Sequence, residues 1–118
     1  MNALAQALQK MAPDLEKELA SRLQGFLGAI LRSYLPQTWV LKSETESASM
    51  TVDRQGKATI VPHEVAGADV TIEAKQAVLL AALTQGASSK ARSTDFHVTM
   101  HTGKGKTAFE FLRKRFGF

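Results

Sequence analysis

The sequence predicts an α+β domain in which helices lie mainly on one face of a mostly antiparallel sheet. Three observations carry that expectation. The first third of the chain is rich in Ala, Leu, Gln, Glu and Lys, with apolar residues at helical spacing. The middle and late parts contain runs that alternate apolar with polar residues, the pattern of half-buried strands. Between those runs lies a short apolar segment, Gln76 to Gln85, that reads as a helix. At 118 residues the chain suits one domain with a single core and one modest cavity. Its expected parts are a helical region over 1–35, a sheet over 37–103 with the short helix inserted, and a basic C-terminal helix over 104–118.

In the N-terminal region the apolar stripe runs through Leu15, Leu19, Leu23, Phe26, Leu27, Ile30, Leu31 and Tyr34. Pro13, followed by Asp14 and Glu16, reads as a helix start, so residues 2–11 are expected to form a separate short helix. Pro36 ends the region. Gly25, Gly28 and Ala29 thin one flank, which suits close packing or the approach of a ligand.

The first strand is expected within Gln37 to Glu46, around Trp39, Val40 and Leu41. A second follows, with Ala48, Met50 and Val52 alternating with Ser49, Thr51 and Asp53. Arg54-Gln55-Gly56 is a turn, its glycine supplying positive φ. Lys57 to Val61 returns and stops at Pro62. Ala68, Val70, Ile72 and Ala74 then alternate with Asp69, Thr71 and Glu73. After the short helix, Gly86 is a capping residue and Ala87 to Thr94 a polar loop. Phe96, Val98 and Met100 mark the last strand, broken by Gly103 and Gly105. Thr107 is the expected cap of a final helix bearing Phe109, Leu112 and Phe116.

Composition narrows the chemistry. The absence of cysteine excludes disulfides, thiolate catalysis and cysteine-based zinc sites, and agrees with a reducing, cytoplasmic setting. The N-terminus lacks the basic start of a secretory signal, and the most apolar run, Gly25 to Leu31, is too short to span a bilayer. Net charge is +4. Residues 1–103 carry ten Lys/Arg and ten Asp/Glu, whereas Lys104, Lys106, Arg113, Lys114 and Arg115 face only Glu110 after them. All of the excess positive charge therefore lies at one end of the sequence.

Catalytic patterns are missing. His97 and His101 share a strand face but stand about 13 Å apart at roughly 3.3 Å per residue, too far to bind one zinc. His63 follows Pro62 without a visible partner. Neither G-x-S-x-G nor S-x-x-K occurs, and no pair of acids stands out as general acid and base. Gly103-Lys104-Gly105-Lys106-Thr107-Ala108 fits a loose dinucleotide fingerprint, but only ten residues follow it, with no room for the second strand and its acid. Read as the end of a phosphate loop, it fails because Met100 stands where glycine is required. The segment is either a tight turn or an anion site, in which Lys104, Lys106 and the N–H groups near Gly105 would meet a phosphate or carboxylate headgroup. An enzyme is not expected, and no cofactor is implied.

Met50 to Gly56, the Ala68-Asp69-Val70-Thr71-Ile72 strand and the short helix ending at Gly86 resemble the sterol-carrier-protein-2-like family. Phe96 to Gly103, followed by Thr107 to Leu112, is similar to that family's last strand and C-terminal helix. The resemblance covers about residues 38–112. It implies a mostly antiparallel five-stranded sheet, an apolar tunnel beneath helices, and lipids, sterols or fatty-acyl-CoAs as ligands. The departure is Ala87 to Thr94, shorter and more polar than the family's glycine- and phenylalanine-containing segment.

The leading expectation is a cytoplasmic carrier whose cavity lies between sheet and helices. Its wall residues would be Phe26, Ile30, Leu79, Leu83, Phe96, Phe109, Leu112 and Phe116, with the headgroup at Lys104, Gly105 and Lys106. The rival is an interaction protein whose basic tip, Arg113, Lys114 and Arg115, docks on anionic membrane or, less in keeping with its core-spaced phenylalanines, on nucleic acid. The apolar N-terminal region would line the cavity or form a homodimer face.

Overall fold

The computed structural model describes residues 2–22, 24, 28, 32–85, 95–107 and 110. Its elements are helix α1 (Ala3–Arg22), strands β1 (Gln37–Lys42), β2 (Ser47–Val52), β3 (Ala58–Val61) and β4 (Val70–Glu73), helix α2 (Gln76–Gln85), and strand β5 (His97–Met100). Residues 103–107 are helical and begin α3. The five strands form one sheet in the order β3-β2-β1-β4-β5. Every neighbouring pair is antiparallel except β1 with β4, which is parallel. The expected α+β class and five-stranded, mostly antiparallel sheet are therefore present.

Helix α1 corrects the expectation for Pro13. One helix runs through residues 3–22 with that proline inside it. An interior proline removes the bond to the carbonyl four residues earlier, here Gln9, and costs about 3 kcal/mol. Pro13 and Gln9 are both exposed, so water can satisfy that carbonyl. On the opposite side Leu4, Leu8, Met11, Ala12 and Leu15 are buried. Each large apolar side chain contributes roughly 1.5–3 kcal/mol on burial, enough to hold the helix together across the break. The buried stripe thus starts eleven residues before Leu15. Leu19 packs against its edge, while Leu23, Phe26, Leu27, Ile30 and Leu31 lie outside the described residues.

The turn chemistry behaves as read. Gly56 has φ 82°, its N–H bonds the Asp53 carbonyl at 3.0 Å, and Asp53 Oδ1 accepts the N–H groups of Gln55 and Lys57. The last helix differs. Its cap is Thr102, whose Oγ1 accepts the Gly105 N–H at 2.9 Å. Gly103 and Gly105 therefore belong to the first turn, and Thr107 lies within the helix, its hydroxyl directed to the Gly103 carbonyl at 3.4 Å. Thr102 wins because it sits three residues before an N–H that only a preceding side-chain oxygen can reach.

Asp69 is the second correction. Its alternation with Val70 predicts an outer-strand, solvent-facing side chain, yet it is 8% exposed. Its carboxylate accepts the Thr38 N–H and the Thr102 hydroxyl, each at 2.8 Å. Its backbone N–H donates to the Thr38 carbonyl and its own carbonyl accepts the His101 N–H, again both at 2.8 Å. One residue thus joins the start of β1, the start of β4, the end of β5 and the cap of α3.

Glu46 plays a similar part at the other end of the sheet. Its carboxylate accepts the Leu4 N–H in the first turn of α1 and the side-chain amide of Gln76 at the start of α2. Glu44 accepts the Gln76 backbone N–H at 3.1 Å. Asn2 caps α1 by accepting the Ala5 N–H at 2.9 Å. Two acids in the β1–β2 turn therefore meet the positive ends of two helices.

Candidate ligand-binding site

Strand parity divides the sheet into two chemically different faces. On the helix side, the register places Ile60, Met50, Trp39, Val70 and Met100 in one row across all five strands. A second row holds Ala48, Leu41, Ile72 and Val98. Helix α1 contacts β2 and β3, and α2 packs on α1. The covering is uneven. Trp39, Met50 and Val70 are at most 3% exposed, Val98 is half-buried, and Met100 is 44% exposed. The apolar row thus emerges from cover at β5.

Leu79, Leu83 and Phe96 are buried in the same core cluster as Trp39 and Ile72. Of the expected wall residues these three are brought together. Phe26, Ile30, Phe109, Leu112 and Phe116 lie outside the described residues, as do Arg113, Lys114 and Arg115. Sequence reading did not single out Trp39, Val70, Ile72 and Met100, which the register sets on the helix-facing side. The signal was available in their alternation, but only the register reveals that they form one continuous row.

The expected headgroup residues sit where β5 runs into α3. Lys104 Nζ donates to the Pro36 carbonyl at 3.3 Å, and Lys106 is exposed. Gly105 is buried, and its N–H already bonds Thr102. It is therefore not a free donor for an external anion, and the neighbouring Asp69 carboxylate adds negative charge to that turn. Gly105 has a packing reason to be glycine: an added Cβ would lie 2.3 Å from the Asp69 carbonyl oxygen and 3.0 Å from Val70 Cγ2.

The far face is polar. It carries a cleft of about 470 Å³ whose lining includes Val40, Lys42, Val65, Thr71, Glu73 and His101. This cleft lies across the sheet from the helices, not between the two as expected for a lipid cavity. Lys42 pairs with Glu64 at 3.0 Å. That hydrogen bond and its charge, with Glu73 adding attraction, raise the ammonium above the ordinary lysine pKa. His101 Nε2 and Thr71 Oγ1 are 3.0 Å apart. Among the described residues no group of three His, Cys, Asp or Glu side chains could hold a metal ion. Nor is any described helix long and apolar enough to cross a membrane.

A five-stranded sheet of this order, with an apolar helix-facing side and a C-terminal helix entered through a capped glycine turn, is a sterol-carrier-protein-2-like fold. A particular solved structure with this fold is the UbiJ-SCP2 ubiquinone synthesis protein. It superposes with a TM-score of 0.57 at 15% identity, over 97% of this chain and 93% of the other. No protein-family model matches the sequence, and no curated protein matches it significantly.

Proposed function

We propose that the chain is a non-catalytic binder and carrier of an apolar ligand, a lipid with a long hydrocarbon chain. The observation that carries this reading is the continuous row Ile60–Met50–Trp39–Val70–Met100, buried at its centre, partly covered at Ile60 and most open at β5. An alkyl chain laid along the open end would gain roughly 0.8 kcal/mol per buried CH₂, without needing a specific polar contact. The fold supports the reading, since the solved neighbour is described as a ubiquinone synthesis protein. Ubiquinone carries a long isoprenoid chain, so prenyl lipids stand beside fatty-acyl and sterol-like molecules as ligands to try.

Native mass spectrometry of gently purified protein tests the proposal. A co-purified lipid mass, or a mass shift when prenyl or fatty-acyl chains are added to delipidated protein, is the expected result. Bare protein in both experiments would overturn it.

A further inference from the structure

We infer that the corner where β5 meets α3 is a docking surface for an anionic lipid bilayer, with Met100, Lys104 and Lys106 as its contact residues. The inference rests on the carrier reading and adds a partner to it.

Two observations meet at this corner. Met100 is, among the described residues, the one large apolar side chain that is exposed. It stands opposite Val70 in register, and Val70 Cγ2 is the side-chain atom against which Gly105 packs. Met100 and the first turn of α3 are therefore neighbours. Lys104 and Lys106 flank Gly105 in that turn; the first is half-buried and leans on the Pro36 carbonyl, and the second projects into solvent. Lys104 and Lys106 are the two basic residues of the described part of that turn.

An exposed apolar side chain beside cations suits one partner chemistry in particular. Methionine gains by entering the boundary between headgroups and acyl chains, while lysines gain from anionic headgroups. Nucleic acid would use the lysines but leave Met100 without a role, since methionine offers no ring for base stacking. Docking here also solves a transfer problem. A lipid that crossed bulk water would expose its hydrocarbon chain at a cost that grows with every CH₂, whereas β5 is where the apolar row is least covered.

The test is flotation of the full chain with vesicles of phosphatidylcholine alone, or with about a third phosphatidylglycerol. Binding to the anionic vesicles alone, weakening as salt rises, is expected. Neutralising both lysines (Lys104→Gln with Lys106→Gln) should weaken partition by about 30-fold, from about 1 kcal/mol per basic residue near such a surface. Met100→Ser should weaken it further while leaving circular dichroism unchanged. Equal binding to both vesicle types, no effect of either variant, or salt-sensitive binding to single-stranded nucleic acid without flotation would overturn the inference. If the lysine pair disturbs the fold, the wild-type salt dependence and Met100→Ser still decide. Lipid co-purification without flotation would remove this surface alone; flotation without any bound lipid would remove the carrier reading.

Discussion

The backbone carbonyl of Asp69 and the α-carbon of Gly105 approach so closely that a methyl group on the glycine would lie 2.3 Å from the oxygen. This contact seats α3 against the start of β4, and the Asp69 carboxylate secures it through the Thr102 hydroxyl. Gly105→Ala must push the helix away and is expected to cost about 1–3 kcal/mol, as overpacking does. Gly103, two residues earlier, meets nothing within 4 Å. Gly103→Ala should therefore be neutral or stabilising by up to about 1 kcal/mol. Urea unfolding of the two variants checks the contrast, and equal effects would contradict it.

Asp69→Ala leaves the partly buried Thr38 N–H without its acceptor, whereas the exposed Thr102 hydroxyl can turn to water. A loss of about 1–3 kcal/mol is expected for the one orphaned donor. Asp69→Asn retains one acceptor oxygen and should lose less. Thermal unfolding of both variants gives the order directly.

Removing the helix-interior proline should help. Pro13→Ala restores an N–H for the Gln9 carbonyl at an exposed position. Stability should rise by about 1–3 kcal/mol. A variant less stable than wild type would mean that the proline has a packing role its exposure does not suggest.

Glu46 predicts a pH dependence with a definite sign. The Gln76 side-chain amide, assisted by the N–H groups of Leu4 and Ala3, holds its carboxyl below the ordinary glutamate pKa against the opposing effect of burial. A lowered native pKa means that the unfolded chain takes up the proton first. The stabilisation is therefore complete above the unfolded value and disappears as pH falls through the native one. Lys42 has the opposite sense: its pKa is raised by Glu64, so its contribution is full below the ordinary lysine value and fades as pH rises through the native one. Unfolding curves of Glu46→Gln should show a shallower acid decline than wild type. Parallel declines would remove Glu46 from the acid response.

Leu79 distinguishes core from wall. It is fully buried, in the same core cluster as Trp39 and Ile72. Leu79→Ala should cost about 2–5 kcal/mol. The variant is also expected to hold less co-purified lipid, because the enlarged space softens the apolar face; unchanged lipid with full destabilisation would assign Leu79 to packing alone.

Local chemistry determined much of this protein. Strand alternation placed Trp39, Met50, Val70, Ile72 and Val98 in half-buried strands, Gly56 fixed its turn through positive φ, and Gln76 to Gln85 formed the expected helix. These features depend on periods of two and 3.6 residues and on backbone sterics, which neighbours in sequence suffice to express. Tertiary structure alone decided the rest. The parallel pairing of β1 with β4 joins residues 31 apart, such as Trp39 with Val70. It also turns Asp69 from a surface acid into a buried link among four segments. Pro13 looked like a boundary because its local cost is real, yet burial of Leu4 and Leu8 against the sheet side outweighed it. In each case a distant surface supplied the free energy, and a local pattern contains no record of what will be brought against it.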